Sequence, residues 1–78
     1  MQTMKITELF DNVYNDVWSC GWQLVPIKFK YKQTIYHMTT DDGYFTGYED
    51  NKGRNFLDKI TARDCLNGTI KVLERIEW

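Results

Sequence analysis

The chain has 78 residues, of which 42% are hydrophobic and 27% are charged, and its formal net charge is −1. This length predicts one domain over residues 1–78. The near-neutral charge disfavours a general nucleic-acid binder, which needs a basic surplus to displace counterions from phosphates. No apolar run is long enough to span a membrane, and no signal-peptide core follows the first residues. We therefore expect a cytoplasmic protein without a membrane partner.

The cysteine and histidine content disfavours a metal site. Two cysteines without a CxxC pair and one histidine cannot complete a closed zinc shell. A disulfide between Cys20 and Cys65 is disfavoured in a reducing cytoplasm, and we interpret both side chains as small apolar fillers. We expect no metal and no other cofactor.

The first predicted element is an amphipathic helix. Its apolar residues recur at helical spacing: Ile6, Leu9, Phe10, Val13 and Val17. Thr3 or Thr7 is a candidate N-cap. The Ser-Cys-Gly sequence at 19–21 predicts the end of the helix near Trp18.

A β-hairpin is predicted next. Residues 25–31 alternate between apolar and basic, and a second extended run covers residues 34–39. Pro26 places the start of the first strand at an edge or a bulge. A two-residue Lys32-Gln33 turn would set Phe29 opposite Tyr36, but Lys-Gln is an unfavourable turn pair, so a longer loop is an alternative. The predicted inward residues are Ile27, Phe29, Tyr36 and Met38, and the predicted outward residues are Lys28, Lys30, Ile35 and His37.

Two turn signals, at residues 41–43 and 50–53, bound a third predicted strand. Strict alternation would place Tyr44, Thr46 and Tyr48 on one face and Phe45 and Gly47 on the other. Turns and a bulge account for the glycines. Residues 55–60 fit either a short strand or a loop.

A short helix over residues 62–67 is predicted before the last strand. Thr61 and Asp64 form a capping box, and Ile60 can pack on Cys65 as a hydrophobic staple. Gly68 is expected to end the helix in the left-handed region. The last strand covers residues 69–76, with Ile70, Val72 and Ile76 inward. The predicted fold class is α+β, with the N-terminal amphipathic helix packed on a small antiparallel sheet of four or five strands.

The sequence contains no catalytic constellation. Cys20, His37 and Asp41 are the only candidates for a nucleophilic site, but no strand–turn–helix elbow carries a cysteine. A solvated strand residue is the better interpretation of His37. The carboxylate pairs at 41–42 and 49–50 lie at predicted turns and lack the spacing of a calcium loop. We therefore expect that the protein is not an enzyme.

Acidic residues flank the aromatic residues of the third strand, a composition suited to a protein interface. This segment, the acidic hairpin, comprises Asp41, Asp42, Tyr44, Phe45, Tyr48, Glu49 and Asp50. It could also occupy a basic channel in place of phosphates and bases. Two ordinary polar turns around a half-buried strand account for it equally well.

A lysine-rich strand supplies an alternative, a platform for nucleic acid. It comprises Lys28, Lys30, Lys32, Tyr36 and His37. A solvated face, or lysines that protect a sheet edge, is the simpler interpretation. An edge strand paired with its symmetry mate would instead give a homodimer or a structural homo-oligomer. Trp18 and Trp22 are expected in the core, and Trp78 either docks or anchors an interface.

Both ends of the chain resemble known sequences. The sequence Ile-Thr-Ala-Arg-Asp-Cys-Leu-Asn-Gly-Thr-Ile-Lys-Val-Leu-Glu from residue 60 resembles the C-terminal ends of short uncharacterised phage and prophage proteins of Gram-positive bacteria. Lys-Ile-Thr-Glu-Leu-Phe at residues 5–10 resembles their N-terminal helix. The resemblance carries no catalytic motif and no site residues. It implies an accessory protein that binds and inhibits a host or defence protein such as a nuclease, as anti-CRISPR proteins do.

Overall fold

A computed structural model of the chain describes residues 2–15 and 25–75. The expectations for Val17, Trp18, Cys20, Trp22, Ile76 and Trp78, and for the end of the first helix, fall outside the described residues. The helices are α1 (Ile6–Asn12), a 3-10 helix (Phe56–Asp58) and α2 (Ala62–Asn67). A π-helical turn over residues 13–15 continues α1. The strands are β1 (Thr3–Lys5), β2 (Pro26–Tyr31), β3 (Thr34–Asp41), β4 (Tyr44–Glu49) and β5 (Thr69–Arg75).

The five described strands form one antiparallel sheet in the order β1-β5-β2-β3-β4. Helix α1 buries Ile6 and Leu9 completely against one face of this sheet, and α2 contacts α1. The predicted α+β fold, with a short helix before the last strand, is confirmed. The core residues are Met4, Ile6, Leu9, Val25, Phe29, Tyr31, Tyr36, Tyr48, Phe56, Ile70 and Val72.

The first described element is a strand that the pattern of the sequence does not predict. Thr3 was a candidate helix cap, but it pairs with Lys71 in β1. The residue at the N-cap of α1 is Lys5, so Thr7 is also not the cap. A three-residue strand is too short to show a period, and it forms because Met4 can bury itself opposite Ile70 on β5.

The predicted two-residue turn between β2 and β3 is confirmed. Lys32 and Gln33 have φ angles of 46° and 67°, the left-handed conformation that a primed hairpin turn requires. Tyr31 faces Thr34 and Phe29 faces Tyr36, as predicted. Left-handed φ costs about 1 kcal/mol or more in a residue with a side chain. The register prevails because a slip by one residue would move the buried rings to the outer face.

Pro26 lies at a bulge and not at an edge. Strand β2 is internal to the sheet, and its register with β5 shifts between Pro26 and Lys28. The bulge alternative is therefore correct, because irregular pairing at this point spares the proline the hydrogen bond that it cannot donate.

Strand β4 does not alternate as predicted. Thr39 faces Gly47 and Thr40 faces Phe45, so Thr46 is an extra residue without its own partner on β3. Gly47 has a φ of 139°, a conformation that glycine supports and other residues rarely adopt. The bulge turns Phe45 to the same face as Tyr48, and the centroids of the two rings lie 5.6 Å apart.

Residues 55–60 form a loop with a 3-10 helix and not a fourth strand. Asn55 makes one isolated bridge with Glu49 and caps the 3-10 helix by accepting from the amide of Leu57. The helix buries Phe56, which is only 1% exposed. The centroid of its ring lies 4.9 Å from those of Phe29 and Tyr36.

The capping box of α2 is confirmed, but the expected conformation of Gly68 is wrong. Gly68 is extended, with φ −72° and ψ 155°. A glycine is needed here for space, because a Cβ atom would lie 2.5 Å from the carbonyl oxygen of Asp64 and 2.5 Å from Cδ1 of Ile6. The Gly68 carbonyl also accepts from the amide of Ile6, which joins the start of α1 to the end of α2.

Replacing Gly68 by alanine should therefore destabilise the fold. We expect Gly68→Ala to lower the free energy of unfolding by about 1–3 kcal/mol, the usual cost of overpacking, in urea denaturation. Asn67→Ala, at the exposed preceding position, is the control and should change it by less than about 0.5 kcal/mol. Equal stabilities of the two variants would show that the close approach does not constrain residue 68.

Candidate functional site

The acidic hairpin divides into an exposed and a buried part. Asp41, Asp42 and Tyr44 are exposed, and the Tyr44 side chain reaches 72% exposure. Phe45 and Glu49 are half-buried. The remaining two residues, Tyr48 and Asp50, are each only 4% exposed, so they cannot contact a partner from their places in this structure. Their burial depends on the β4 bulge and on the loop contacts of Asp50, which the sequence pattern does not predict.

The hairpin tip, residues 41–44, is a tight turn closed by strand pairing. Asp42 and Gly43 have φ angles of 52° and 82°, which match a primed two-residue turn. Asp41 and Tyr44 pair directly on either side of this turn. Behind the tip, the hydroxyl groups of Thr39 and Thr46 lie 2.7 Å apart, in hydrogen-bond contact between the strands. The tip therefore projects Tyr44 and two carboxylates from a braced hairpin.

Tyr48 has a structural role. Its hydroxyl donates to the carbonyl oxygen of Pro26 at 2.7 Å, which ties β4 to β2 across β3. Its ring meets that of Phe29 edge-on at 4.9 Å. Burial raises the pKa of the Tyr48 hydroxyl well above its usual range. Tyr48 therefore keeps its proton and serves as a buried donor.

Asp50 organises the loop after β4. Its carboxylate accepts from the backbone amides of Lys52 and Arg54, both at 2.9 Å, and from Nε of Arg54 at 3.0 Å. The Gly53 amide also donates to the Asp50 carbonyl at 3.1 Å, which closes the predicted turn. The bond from the Arg54 amide is the main cause that lowers the pKa of Asp50. Three donors satisfy this buried carboxylate.

The lysine-rich strand is also divided. Lys28, Lys30 and His37 lie on the outer face of the sheet, whereas Tyr36 is 3% exposed in the core. Tyr36 therefore offers no ring surface on which a base could stack. Lys32 extends from the turn, with Nζ 3.6 Å from Oδ1 of Asp64 and 5.2 Å from the centre of the Tyr31 ring.

A further lysine joins this face through long-range pairing. Lys71 on β5 lies directly opposite Lys30 on β2. With Ile70 and Val72 inward, alternation predicts that Lys71 faces outward, but it does not predict that the last strand pairs with β2. Periodicity predicts the face of a residue and not its neighbour on another strand.

An apolar hollow of about 180 Å³ lies between α1 and β4. Phe10 and Val13 contribute from the helix side, and Phe45 and Gly47 contribute from β4. The exposed Leu57 forms part of the rim, with 56% of its surface accessible. Apolar surface therefore lies beside the strand that carries the hairpin tip.

The described residues contain no group of three His, Cys, Asp or Glu side chains arranged to hold a metal ion. Cys65 is a half-buried free thiol. Within residues 2–15 and 25–75, no helix has the length and apolar character needed to span a membrane.

Comparison with known proteins finds no family model, no curated protein and no solved structure that matches the chain. The phage and prophage origin implied by the ends of the chain therefore stays a prediction.

Removing the Tyr48 hydroxyl tests its link to Pro26. We expect Tyr48→Phe to lower the free energy of unfolding by about 1 kcal/mol, because the variant loses one buried hydrogen bond and leaves a carbonyl unpaired. Tyr44→Phe removes an exposed hydroxyl and is the control, with an expected change below about 0.5 kcal/mol. The link would be discounted if thermal and urea denaturation gave the same stability for both variants.

Acid should destabilise the fold through Asp50 and Asp64. Hydrogen bonds from the Thr61 amide and hydroxyl lower the pKa of Asp64 to about 2, and the pKa of Asp50 is also lowered. A carboxyl group whose folded pKa lies below its unfolded value of about 3.9 stabilises the fold above that value. This contribution disappears as the pH falls from about 5 to about 2.

Asp64→Asn should weaken this dependence, because asparagine keeps an acceptor oxygen but has no charge to lose. We expect a smaller loss of stability between pH 5 and pH 2 in this variant than in the natural chain, by urea denaturation at each pH. Asp42→Asn, at an exposed turn position that asparagine tolerates, is the control and should keep the natural slope. Identical slopes for Asp64→Asn and the natural chain would contradict the assignment.

Proposed function

We propose that this protein is a binding protein and not an enzyme, and that it engages a partner protein through the hairpin tip. The proposal depends on the exposure of Tyr44. This side chain is 72% exposed and follows the turn directly, close to Asp41 and Asp42 in the sequence. Tyrosine is enriched at protein interfaces and among the residues that dominate binding energy. An aromatic side chain this exposed contributes little to the fold, so its use at an interface is favoured.

The conformation of the tip supports this proposal. Binding costs free energy when loops and side chains become ordered. The tip is already fixed by a two-residue turn and by the pairing of Asp41 with Tyr44. Tyr44 has only two side-chain torsions to restrict, and this keeps the entropic cost of contact low. The hairpin can therefore meet a partner with little rearrangement.

The chemistry of the tip favours a partner with a basic surface. Asp41 and Asp42 are exposed, and the two ion pairs among the described residues involve neither of them. An arginine can pair with a carboxylate and also stack on a tyrosine ring. The apolar hollow behind β4 offers contact area for an apolar side chain next to such a basic residue. We expect the partner to present arginine or lysine beside an apolar side chain.

The resemblance of the chain ends to phage and prophage proteins supports a more specific form of the proposal. A host or defence nuclease carries a basic channel for its nucleic acid. In that channel, the carboxylates of the tip would take the places of phosphates, and Tyr44 would take the place of a base. Binding would then inhibit the nuclease, as anti-CRISPR proteins do, within the cytoplasm of the bacterial host.

The proposal is tested by capture followed by measurement on the purified partner. The tagged protein is incubated with nuclease-treated lysate of a phage-susceptible Gram-positive bacterium, and retained proteins are identified by mass spectrometry. The affinity of the purified partner is then measured for the natural chain and for Tyr44→Ala. We expect Tyr44→Ala to weaken binding by about 30-fold or more, the effect of losing a dominant contact residue.

Tyr14→Ala is the matched control, because Tyr14 is 69% exposed but lies outside the hairpin. Its affinity should stay within about two-fold of that of the natural chain. Charge reversal of the partner's basic residues should reproduce the effect of Tyr44→Ala. The proposal fails if Tyr44→Ala and Tyr14→Ala bind equally well, whatever protein is captured.

A further inference from the structure

The outer face of the sheet holds two like charges directly opposite each other. Lys30 on β2 and Lys71 on β5 are register partners. Like charges at such positions destabilise a sheet. The ion pairs of the described residues are Lys32 with Asp64 and Arg54 with Asp50, so neither Lys30 nor Lys71 has a carboxylate within pairing distance in this part of the chain.

These lysines line a shallow depression of about 300 Å³ at one end of the sheet. Lys32 from the β2–β3 turn lies at its margin, and the β1 and β5 strands contribute Thr3 and Thr69. Two lysine and two threonine side chains therefore border one concave surface, whereas the Lys32 ammonium group lies 3.6 Å from Asp64 and beside the buried Tyr31 ring. Lys28 lies two residues or roughly 7 Å beyond Lys30 on β2, but its partner on β5 is Glu74, so the like-charge pairing is confined to Lys30 and Lys71.

The negative net charge of the chain does not cancel this local field. The acidic tip lies at the far end of β3, a strand of eight residues that spans roughly 25 Å. Exposed charges further apart than the Debye length, about 8 Å at physiological ionic strength, are largely screened from each other. The depression therefore presents positive charge to its own surroundings, independently of Asp41 and Asp42.

Lysine ammonium groups and hydroxyl groups are suited to phosphate oxygens, which accept several charge-assisted hydrogen bonds. The aromatic side chains nearest in β2 and β3, Phe29, Tyr31 and Tyr36, are buried on the opposite face, and Tyr44 lies at the far end of β3. A ligand here would contact the lysines through its phosphates, without stacking of bases.

We propose that this depression, lined by Lys30, Lys32, Lys71, Thr3 and Thr69, binds phosphate groups of a nucleic-acid backbone without regard to base sequence. The site is distinct from the hairpin tip, and its function does not depend on that of the tip. Affinity from a few lysines should be modest and should fall steeply with salt, because binding releases condensed counterions.

Lys30→Glu is an informative test variant. It replaces a like-charge pair with an opposite-charge pair across β2 and β5, so the fold should be kept or stabilised while the site loses its positive charge. Binding of a fluorescent 12-base-pair DNA duplex is measured by anisotropy over a range of low salt concentrations. We expect at least ten-fold weaker binding than for the natural chain, and a salt slope smaller by about 1 or more.

Lys59→Glu is the matched control, since it makes the same change in net charge. Lys59 is exposed and follows the 3-10 helix on the layer that covers the other face. Its affinity should stay within about three-fold of that of the natural chain. Thermal denaturation of both variants confirms that each is folded.

A second arm uses inorganic triphosphate, which carries the same phosphate chemistry without a nucleic-acid backbone. Competition by triphosphate together with binding of the duplex supports the proposal. Binding of triphosphate without any binding of the duplex overturns the assignment to nucleic acid. The proposal is also overturned if the duplex fails to bind at the lowest salt, or if Lys30→Glu and Lys59→Glu weaken binding equally.

Discussion

The packing of aromatic rings around Phe29 is the interaction on which the rest of the structure depends. The centroid of its ring lies 5.5 Å from that of Tyr36 and 4.9 Å from those of Tyr48 and Phe56. These neighbours come from β3, β4 and the 3-10 helix, so one side chain on β2 packs against three other elements. A chain of 78 residues buries a limited fraction of its surface, and large rings supply much apolar area from few residues. Offset and edge-on contacts also favour particular geometries. The cluster therefore stabilises the sheet and selects its register.

The same cluster decides what remains on the surface. Because the rings of β2 and β3 turn inward, the outer face keeps the lysines and the histidine of those strands. The bulge at Gly47 adds Phe45 to the inner set and leaves Tyr44 outside. The two proposed binding surfaces consist of side chains that are not part of this core. One is an acidic tip with one exposed ring, and the other is a basic depression without rings.

Local patterns in the sequence predict much of this fold but only part of the candidate sites. Alternation around Phe29 gives the β2–β3 register, and the Thr61 capping box gives the start of α2. Strand β1, the bulge at Gly47 and the packing role of Gly68 depend on residues distant in sequence, which periodicity does not report. In the candidate sites, too, local patterns predict some features, and contacts between distant residues determine the others. Exposure of Asp42 follows from its turn, whereas the burial of Asp50 and the pairing of Lys71 with Lys30 require knowledge of the folded chain.

The pairing of β1 with β5 has a consequence for biosynthesis. Residues 3–5 and 69–71 are partners, so the start of the chain leaves the ribosome long before its partner strand exists. The β2–β3–β4 meander is local and can form during translation, but one side of β2 stays unpaired until β5 emerges. Such long-range closure slows folding, and an unpaired strand is open to association with other chains. We therefore expect the nascent protein to be most exposed to aggregation, and to capture by chaperones, in the interval before β5 is released.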